Sequence, residues 1–304
     1  MKKEKIIMDC TGKTMLDLTV VVCCYNSEKM IKDCLESVKN NHPKQIILVD
    51  GGSSDKTREI AGNFVDEIVN DQARGLANAR NMGIDRAQTQ YVCFVGPDNI
   101  MPEGSLAKMI DYLENHNCSI VSALTVLRNT KSYWGWAQNI YRRTKALPGY
   151  KDVVGTPSLF KTVTAKKYKY DVFMKNSDDT EICSRMAKDG LLFAISDAYC
   201  YEIGFDNITA VIERWTRYGR GDYLFYFSQK NKNNWGLFRK FQSFIHPIVH
   251  DFYVPISNIR ISETACIPFF VMIVLLRYYG WIKSYFQKVE KKSSVYDETV
   301  RNCS

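Results

Sequence analysis

Residues 18–28 read LTVVVCCYNSE, a run of apolar and β-branched residues that ends abruptly in polar ones. Residues 45–55 (QIILVDGGSSD) and 91–99 (YVCFVGPDN) have the same form. Continuous apolar runs of this length are typical of strands buried on both faces of a parallel sheet. Each run is followed by apolar residues at helical spacing, and this alternation predicts right-handed crossovers. We therefore expect an α/β domain with a mostly parallel sheet flanked by helices. Its polar residues should gather at the carboxyl ends of the strands, where such sheets bind ligands.

The composition of the whole chain fits a globular protein. Of the 304 residues, 45% are hydrophobic and 24% are charged, and the formal net charge is +8. A basic balance suits nucleic acid, an anionic membrane or a phosphorylated ligand, and it also serves solubility alone. The Lys and Arg residues form no dense block, and neither zinc-finger spacing nor an RNA-recognition motif occurs. We therefore expect no nucleic acid partner.

The ten cysteines are interpreted as reduced thiols. No CxxC pair occurs, so the usual signature of a metal or thioredoxin-type site is missing. Cys23, Cys24 and Cys93 lie in strand-like apolar runs, where cysteine behaves as a small hydrophobic residue. Residues 1–7 carry lysines but lack the apolar run of a signal peptide. We expect a cytoplasmic protein.

Four motifs follow one another along the first two thirds of the chain: YNSE (25–28), VDGGSSD (49–55), ARNMG (79–83) and GPDN (96–99). In this order and spacing they resemble glycosyltransferase family 2, although any one of them alone would be a weak signal. The resemblance implies a GT-A fold, which is a Rossmann-like α/β sheet. It also implies an inverting enzyme that takes a sugar from a nucleotide diphosphate sugar, with a UDP-sugar favoured.

The resemblance further implies which residues bind the donor and the metal. The predicted donor-binding residues are Cys23, Tyr25, Glu28, Asp50, Arg80 and Pro97. An aromatic ring can stack on the base, and a carboxylate can hold the divalent ion that bridges two phosphates. Asp98 stands at the metal-binding position, so Mn²⁺ or Mg²⁺ is the predicted cofactor. Gly96 replaces the first acidic residue of the family's motif, and GPDN alone is also an ordinary turn.

Residues 178–185 read DDTEICSR and resemble the family's EDxDLxxR segment. By this resemblance Asp179 is the general base, with Asp178 as the alternative. An acceptor hydroxyl is a poor nucleophile near neutral pH, so a carboxylate within hydrogen-bond reach must take its proton. One base without a covalent intermediate corresponds to a single displacement with inversion. The competing interpretation is structural, because Ser177 or Asp178 can cap a helix whose dipole favours acidic residues in its first turn.

Basic and aromatic residues are interleaved at 213–222 (ERWTRYGRGD). Processive synthases of the family carry QxxRW, and here Val211 stands in the place of Gln, which favours the addition of one sugar at a time. The residues predicted to bind the acceptor or a phosphate are Arg214, Trp215, Arg217 and Arg220. A solvated basic helix face is the alternative. The turn at 155–158 (GTPS) is predicted to shape the acceptor pocket.

The apolar segment 264–276 (TACIPFFVMIVLL) raises the question of a membrane. It reaches about 17 residues if Arg277 snorkels toward headgroups, which is short of the roughly 20 of a spanning helix. Tyr and Trp at 278–281 resemble an interfacial belt, and 238–245 predicts an amphipathic surface helix. We expect attachment to the cytoplasmic face of a membrane and a lipid-linked or glycan acceptor. The alternative is a helical pair packed on the catalytic domain or on a second subunit, hence a homo-oligomer.

These patterns divide the chain into a lead at 1–15, a catalytic GT-A domain at 16–205, a C-terminal helical region at 206–290 and a polar tail at 291–304. The competing hypothesis for function is a non-catalytic nucleotide-binding or membrane-scaffolding protein on the same fold. A nucleotidyltransferase is disfavoured, because no Gly-rich phosphate loop with a paired Lys opens the chain.

Overall fold

The computed structural model describes residues 6–8, 14–128, 130–174, 177–204, 207–232 and 235–301. The chain divides into two compact units. The first comprises Met1–Arg128 and Ala146–Gly204, and the second comprises Asn129–Lys145 and Phe205–Ser304. This grouping differs from a linear division at residue 205, because the helix within 129–145 packs with helices of the C-terminal region.

The strands, in chain order, are β1 (Ile6–Met8), β2 (Thr14–Cys24), β3 (Pro43–Asp50), β4 (Glu67–Asn70), β5 (Tyr91–Val95), β6 (Asn99–Ile100), β7 (Ile120–Leu127), β8 (Gly149–Lys151), β9 (Ser158–Lys161) and β10 (Phe193–Glu202). The helices are α1 (Ile31–Lys39), α2 (Thr57–Ala61), α3 (Leu76–Arg86), α4 (Ser105–Asn115), α5 (Tyr133–Lys145), α6 (Thr162–Tyr168), α7 (Asp178–Lys188), α8 (Ile208–Lys232), α9 (Leu237–Ile248), α10 (Val254–Asn258) and α11 (Ile267–Arg301). A π-helical turn (Val249–Tyr253) precedes α10, and a 3₁₀-helix (Ile261–Cys266) precedes α11.

The strands form one mixed sheet in the order β4-β3-β2-β5-β9-β7-β10-β6, with β1 paired to β2 and β8 paired to β10. Strands β4, β3, β2 and β5 run parallel to their neighbours in this series. Strand β9 runs antiparallel between β5 and β7. The predicted α/β sheet with flanking helices is confirmed, and the reversed β9 makes it mixed.

The sheet is buried on both faces, as the continuous apolar runs predict. In β2, Leu18, Val20 and Val22 belong to the apolar layer on one face, while Val21 belongs to the layer on the other. All four are fully buried. This alternation follows from the two-residue period of a strand. On the Val21 side, a Cβ added to Gly83 would lie 2.4 Å from Val21 Cγ1, so the glycine of ARNMG lets α3 approach β2 closely.

The second unit is a helical bundle with its own apolar core. Its buried cluster consists of Ala137, Ile140, Tyr141, Val211, Trp215, Cys266, Phe269, Phe270 and Ile273. Helices α8 and α11 cross with their backbones in contact at two glycines. A Cβ on Gly219 would lie 1.9 Å from the carbonyl oxygen of Arg277, and one on Gly280 would lie 2.1 Å from that of Thr216. No other residue type fits at this crossing, because the obstructing atoms are backbone.

We expect Gly219→Ala and Gly280→Ala each to destabilise the second unit by about 3 kcal/mol, the upper end of the usual cost of overpacking. The helices must move apart to admit the methyl group, which loosens the apolar core between them. Chemical denaturation followed by Trp fluorescence measures the change. Gly236→Ala is the matched control, because nothing lies within 4 Å of its added Cβ. A wild-type unfolding midpoint for both crossing variants would contradict the tight crossing.

Arg277 does not snorkel toward headgroups, so the condition under which the apolar segment would reach about 17 residues is not met. Its side chain is buried, Nε lies 2.8 Å from Asp222 Oδ2, Nη2 lies 2.6 Å from Asp222 Oδ1, and Nη1 pairs with Asp251. Lys145 Nζ lies 2.7 Å from the other oxygen of Asp251. The guanidinium therefore pairs with the buried Asp251 and the partly buried Asp222 inside the unit. Helix α11 also extends to Arg301, into the predicted polar tail, while 302–304 lie outside the described residues.

By length and composition alone, the helical segment Ile261–Gln287 is able to cross a membrane. One third of its most apolar window is buried inside the protein.

Candidate active site

Three of the four motifs meet at one edge of the sheet. Strands β3, β2 and β5 are parallel neighbours, with Cys24 opposite Asp50 and Val22 opposite Val95. The residues that follow these strands therefore leave the sheet at nearly the same level. This arrangement brings the YNSE, VDGGSSD and GPDN turns to the carboxyl edge, as the sequence predicts.

The turns after β2 and β3 are held together by reciprocal hydrogen bonds. Asn26 N donates to Ser53 Oγ (2.8 Å), and Ser54 N donates to Asn26 Oδ1 (2.9 Å). Glu28 N donates to Asp55 Oδ2 (3.1 Å), while Lys56 N donates to Glu28 Oε2 (3.1 Å). The Glu28 carboxylate thus fixes the position of the second turn.

Tyr25 and Asp50 have opposite environments within this pair of turns. The Tyr25 side chain is 63% exposed, so its ring is available to stack on a planar ligand. Asp50 is fully buried, and its carboxylate accepts hydrogen bonds from Ser53 N (3.1 and 3.2 Å) and Ser53 Oγ (2.5 Å). Sequence reasoning did not single out Ser53, whose hydroxyl and amide both hold Asp50.

Two side chains lie close to Gly96 in the turn after β5. Asn99 Oδ1 accepts from Gly96 N (2.9 Å), and Asn99 N donates to Gly96 O (3.0 Å). A Cβ on Gly96 would lie 2.6 Å from Asp98 Oδ1 and 3.1 Å from Asn99 Oδ1. The Asp98 carboxylate therefore takes the space that an acidic side chain at position 96 would need.

The residues at this turn fit a magnesium or manganese ion in one respect. Two side-chain oxygens, from Asp98 and Asn99, converge on the open face of Gly96. Hard divalent ions take oxygen ligands, and Mg²⁺ is often held by one or two carboxylates together with substrate phosphates. The described residues contain no group of three His, Cys, Asp or Glu side chains that could hold a metal ion by themselves. A metal ion at this turn would therefore also need oxygen ligands from the phosphates of the nucleotide sugar.

A second cluster joins α3 to the start of α7. Arg80 Nη1 donates to Asp178 Oδ2 (2.6 Å) and Asp179 Oδ1 (2.8 Å), and Nη2 donates to Thr156 Oγ1 (2.7 Å). The guanidinium also lies 4.8 Å from the centre of the Tyr170 ring. Arg80 is 4% exposed. Its hydrogen bonds thus tie it to the α7 carboxylates, and none of them reaches Asp50.

The two carboxylates of this cluster differ in access. Asp178 is buried, whereas the side chain of Asp179 is 27% exposed. Within the described parts of the chain, no hydrogen bond reaches Asp179 Oδ2, which lies beside Gly155. Burial raises the pKa of Asp179, Arg80 opposes this rise, and the charge of Asp178 adds to it. Asp179 is therefore a partly exposed carboxylate with one oxygen anchored on Arg80, a second oxygen without a hydrogen bond in the described chain, and a raised pKa.

Capping does not account for these aspartates. Ser177 stands at the N-cap with a φ of 61° and makes no side-chain capping hydrogen bond. Asp178 and Asp179 occupy the first turn of α7, where the helix dipole favours them. The hydrogen bonds of both side chains go to Arg80.

The remaining predicted donor residues lie at the ends of their strands. Cys23 is half-buried next to the end of β2, and burial raises the pKa of its thiol to about 12. It is therefore a neutral thiol rather than a nucleophile. Pro97 lies half-buried in the turn between Gly96 and Asp98.

The residues predicted to bind the acceptor lie on α8 in the second unit. Trp215 is buried in that unit's core, with its ring 5.0 Å from Tyr141 and 5.2 Å from Tyr218. Arg217 and Arg220 are exposed, and Arg214 is half-buried. Packing thus explains Trp215, and only the two exposed arginines present their charges to solvent. Acceptor binding by the four residues stays a prediction.

Comparison with known proteins supports the interpretation of these motifs. The model of the family described as glycosyl transferase family 2 matches residues 19–177, more than half of the chain. A poly-beta-1,6-N-acetyl-D-glucosamine synthase of Staphylococcus epidermidis is 32% identical over 173 residues. That match covers 50% of this chain and 41% of the relative, so the chain spans less than half the length of this relative.

Two solved structures share the fold. A mannosyltransferase, PcManGT from Pyrobaculum calidifontis in complex with GDP-Man and Mn²⁺, is similar with a TM-score of 0.63 and 14% identity, over 90% of this chain and 88% of that one. S. aureus TarS 1-349 in complex with UDP-GlcNAc is similar with a TM-score of 0.54 and 17% identity, over 88% and 89% of the two chains. With the family match and the four ordered motifs, the chain belongs to glycosyl transferase family 2.

Proposed function

We propose that this protein transfers one sugar at a time from a nucleotide diphosphate sugar, with a UDP-sugar favoured, to a hydroxyl of a lipid-linked or glycan acceptor. The observation that carries the proposal is the Asp179 carboxylate, which is anchored on Arg80 through one oxygen and whose side chain is 27% exposed. Nucleotide sugars bound to structures of the same fold support the choice of donor.

Asp179 is the proposed general base. An acceptor hydroxyl that approaches Oδ2 would give up its proton as its oxygen attacks the anomeric carbon of the donor sugar, and the nucleoside diphosphate would leave from the opposite side. A raised pKa brings the base closer to the pH at which it works, which makes proton transfer more favourable. A single displacement of this kind inverts the configuration of the anomeric carbon.

Asp98 is the proposed metal-binding residue, with Asn99 beside it. A bound Mn²⁺ or Mg²⁺ would stabilise negative charge on the departing diphosphate. The protein's own contribution is to hold the Asp98 carboxylate over Gly96, at the carboxyl edge of β5.

The turns after β2 and β3 are the proposed site of the base and ribose. Tyr25 offers an exposed ring for stacking, and the buried Asp50 carboxylate is held in place by Ser53. Cys23, Glu28 and Pro97 complete the predicted set, and the hydrogen bond from Lys56 N to Glu28 supports a role in shaping the turn.

Arg80 is proposed to position the base, a different role from the donor contact that the family resemblance implies. Its Nη1 donates to both Asp178 and Asp179, Nη2 donates to Thr156, and the Tyr170 ring lies against the guanidinium. Contact with the aspartates and Thr156 at once uses two nitrogens of a planar group, and the single ammonium of lysine does not reproduce it.

We expect Arg80→Lys to lower kcat by about 10–100-fold, because a displacement of Asp179 by even 1 Å is costly at this level. The Kd for the nucleoside diphosphate should stay within about twofold of wild type. Isothermal titration with UDP and steady-state transfer assays separate the two quantities. Thr156→Val, which removes only one of the hydrogen bonds to Arg80, is the milder companion. A raised Kd with an unchanged kcat would assign Arg80 to the donor instead.

Addition of single sugars is proposed because Val211 stands where processive members of the family carry Gln. Val211 is fully buried in the apolar core of the second unit. Arg217 and Arg220 are the candidates for a phosphate of a lipid-linked acceptor, because both are exposed and neither has an acidic partner among the ion pairs of the described residues.

Attachment to the cytoplasmic face of a membrane is proposed through the C-terminal helices. The apolar character of Ile261–Gln287 supports it, and so does the exposed apolar face of α9. A homo-oligomer formed through the same helices is the alternative.

Release of nucleoside diphosphate tests the enzyme against the non-catalytic alternative. Purified protein is incubated with UDP- and GDP-sugars and Mn²⁺, and the free diphosphate is measured with a coupled assay. Slow hydrolysis of one donor is expected even without acceptor and should disappear when EDTA removes the metal. If each donor binds and none is turned over, with or without candidate acceptors, a binding or scaffolding protein is the better account.

A further inference from the structure

Helix α11 cannot cross a bilayer by itself while the second unit stays folded. Its buried Arg277 is paired with Asp222 on α8 and with Asp251. Its backbone touches that of α8 at Gly219 and Gly280. If α11 crossed the bilayer alone, these ion pairs would have to separate. If α8 moved with it, the exposed Arg217 and Arg220 would approach the hydrocarbon, where charged groups are costly.

The side of α11 that faces away from α8 is an exposed apolar stripe. Val271, Leu275, Tyr279, Ile282 and Phe286 follow one another at three- or four-residue spacing, which places them on one helix face. Each of them is 43–62% exposed. A stripe of five large apolar side chains is more than the scattered exposure usual for a soluble surface.

Helix α9 presents a second exposed apolar face beside this stripe. Its members are Leu237 (85% exposed), Phe238 (75%), Phe241 (59%), Phe244 (53%) and Ile248 (45%). The two helices touch, because the rings of Phe244 and Tyr278 are 5.3 Å apart and Tyr278 OH donates to Phe244 O (2.7 Å). Their apolar faces therefore adjoin, and we call them together the α9–α11 surface.

The charges around the α9–α11 surface are basic. Neither α9 nor residues 267–287 contain an Asp or Glu, whereas Arg239, Lys240 and Lys283 lie on these helices. An apolar face with a basic margin is typical of helices that lie in the interface of an anionic leaflet. In a twofold dimer the same surface would meet itself, so these cations would face one another without acidic partners from α9 or from residues 267–287. The charges thus favour lipid over a second copy.

We propose that the α9–α11 surface lies in the plane of an anionic membrane leaflet, and that α11 does not cross it. This inference deepens the proposed membrane attachment by naming the surface, the lipid charge and the topology. It requires neither metal nor donor, and so it stands or fails separately from the transfer reaction.

Vesicle flotation with the full chain tests the proposal. We expect wild-type protein to float with vesicles that contain about 30% anionic lipid, to bind zwitterionic vesicles at least about tenfold more weakly, and to be released by alkaline carbonate. Leu275→Glu and Phe241→Glu should each weaken binding by about tenfold or more, because each buries a charge where an apolar group is needed. Val163→Glu is the matched control, since Val163 is an apolar residue of the first unit that is 74% exposed.

Three outcomes would overturn the proposal. If the protein resists extraction by carbonate, and sealed vesicles protect the end of α11 from protease, then α11 crosses the bilayer. If the two glutamate variants float as wild type does, the α9–α11 surface does not contact the membrane. A dimer in light scattering that Leu275→Glu dissociates, without vesicle binding by wild type, would make a second copy the occupant. Thermal unfolding of each variant, compared with wild type, verifies that it is folded.

Discussion

Asp179→Asn is expected to lower kcat for sugar transfer by about 10²–10⁴-fold, the usual contribution of a general base. Asparagine has nearly the same shape and can still accept from Arg80, but it cannot take the proton of the acceptor hydroxyl. The Kd for the nucleotide sugar should be close to wild type, because the change is confined to the start of α7. Product formation at saturating donor and acceptor measures the effect.

Asp178→Asn is the matched control for this variant. It also removes one charge next to Arg80, but Asp178 is buried and has no accessible oxygen comparable to Asp179 Oδ2. We expect a loss of less than about tenfold, from the weakened anchor of the pair. Full turnover by Asp179→Asn, or a larger loss in Asp178→Asn, would show that the base is assigned to the wrong residue.

The pH dependence follows from the same assignment. The base acts in its charged form, and burial raises the pKa of Asp179. The kcat of wild type should therefore fall as the pH falls through that raised value, above the ordinary aspartate range near 3.9. The residual activity of Asp179→Asn should lack this acidic limb.

Asp98→Ala is expected to lower kcat by about 10³-fold or more, because a bound divalent ion contributes several kcal/mol of charge stabilisation to the leaving diphosphate. It should also abolish the part of donor binding that depends on Mn²⁺. Isothermal titration of the nucleotide sugar with and without Mn²⁺ measures that part.

Asp179→Asn serves as the control for Asp98→Ala, because it should lose turnover and keep Mn²⁺-dependent donor binding. The pair thus separates the metal site from the base. If Asp98→Ala binds the donor with an unchanged response to Mn²⁺, the ion is held elsewhere, and the carboxylate over Gly96 has another role.

The parallel part of the sheet could be predicted because its strands are continuous apolar runs. β2, β3 and β5 contain or coincide with the apolar parts of the runs that begin at residues 18, 45 and 91. The reversed β9 could not be predicted, because four residues, Ser158–Lys161, carry too little pattern to define direction. The packing of 129–145 with the C-terminal helices could not be predicted either, because it depends on contacts between residues far apart in sequence.

The site was predictable to the extent that strand ends determine it. The order of motifs placed Tyr25, Asp50 and Asp98 at one edge, since parallel neighbouring strands end together. The pairing of Arg80 with Asp178 and Asp179 could not be predicted. The partners are 98 and 99 residues apart, and a charge alone does not specify its counterion.

The same limit explains why the sequence did not reveal the buried partners of Arg277. In a hydropathy pattern, an arginine at the end of an apolar segment indicates a residue at the edge of a membrane. The sequence carries no signal that Asp222 and Asp251, 55 and 26 residues away, lie beside it.

Thermal unfolding with nucleotide ligands tests the central claim most directly, namely that the turns after β2, β3 and β5 form a metal-assisted nucleotide-sugar site. At about 100 times Kd, a ligand adds about 2.7 kcal/mol to the stability of the unit that binds it, which corresponds to several degrees in Tm. We predict such a rise with at least one UDP- or GDP-sugar and Mn²⁺, a smaller rise without the metal, and loss of the metal increment in Asp98→Ala. No change in Tm with any nucleotide sugar or nucleoside diphosphate at millimolar concentration, with either Mn²⁺ or Mg²⁺, would contradict it.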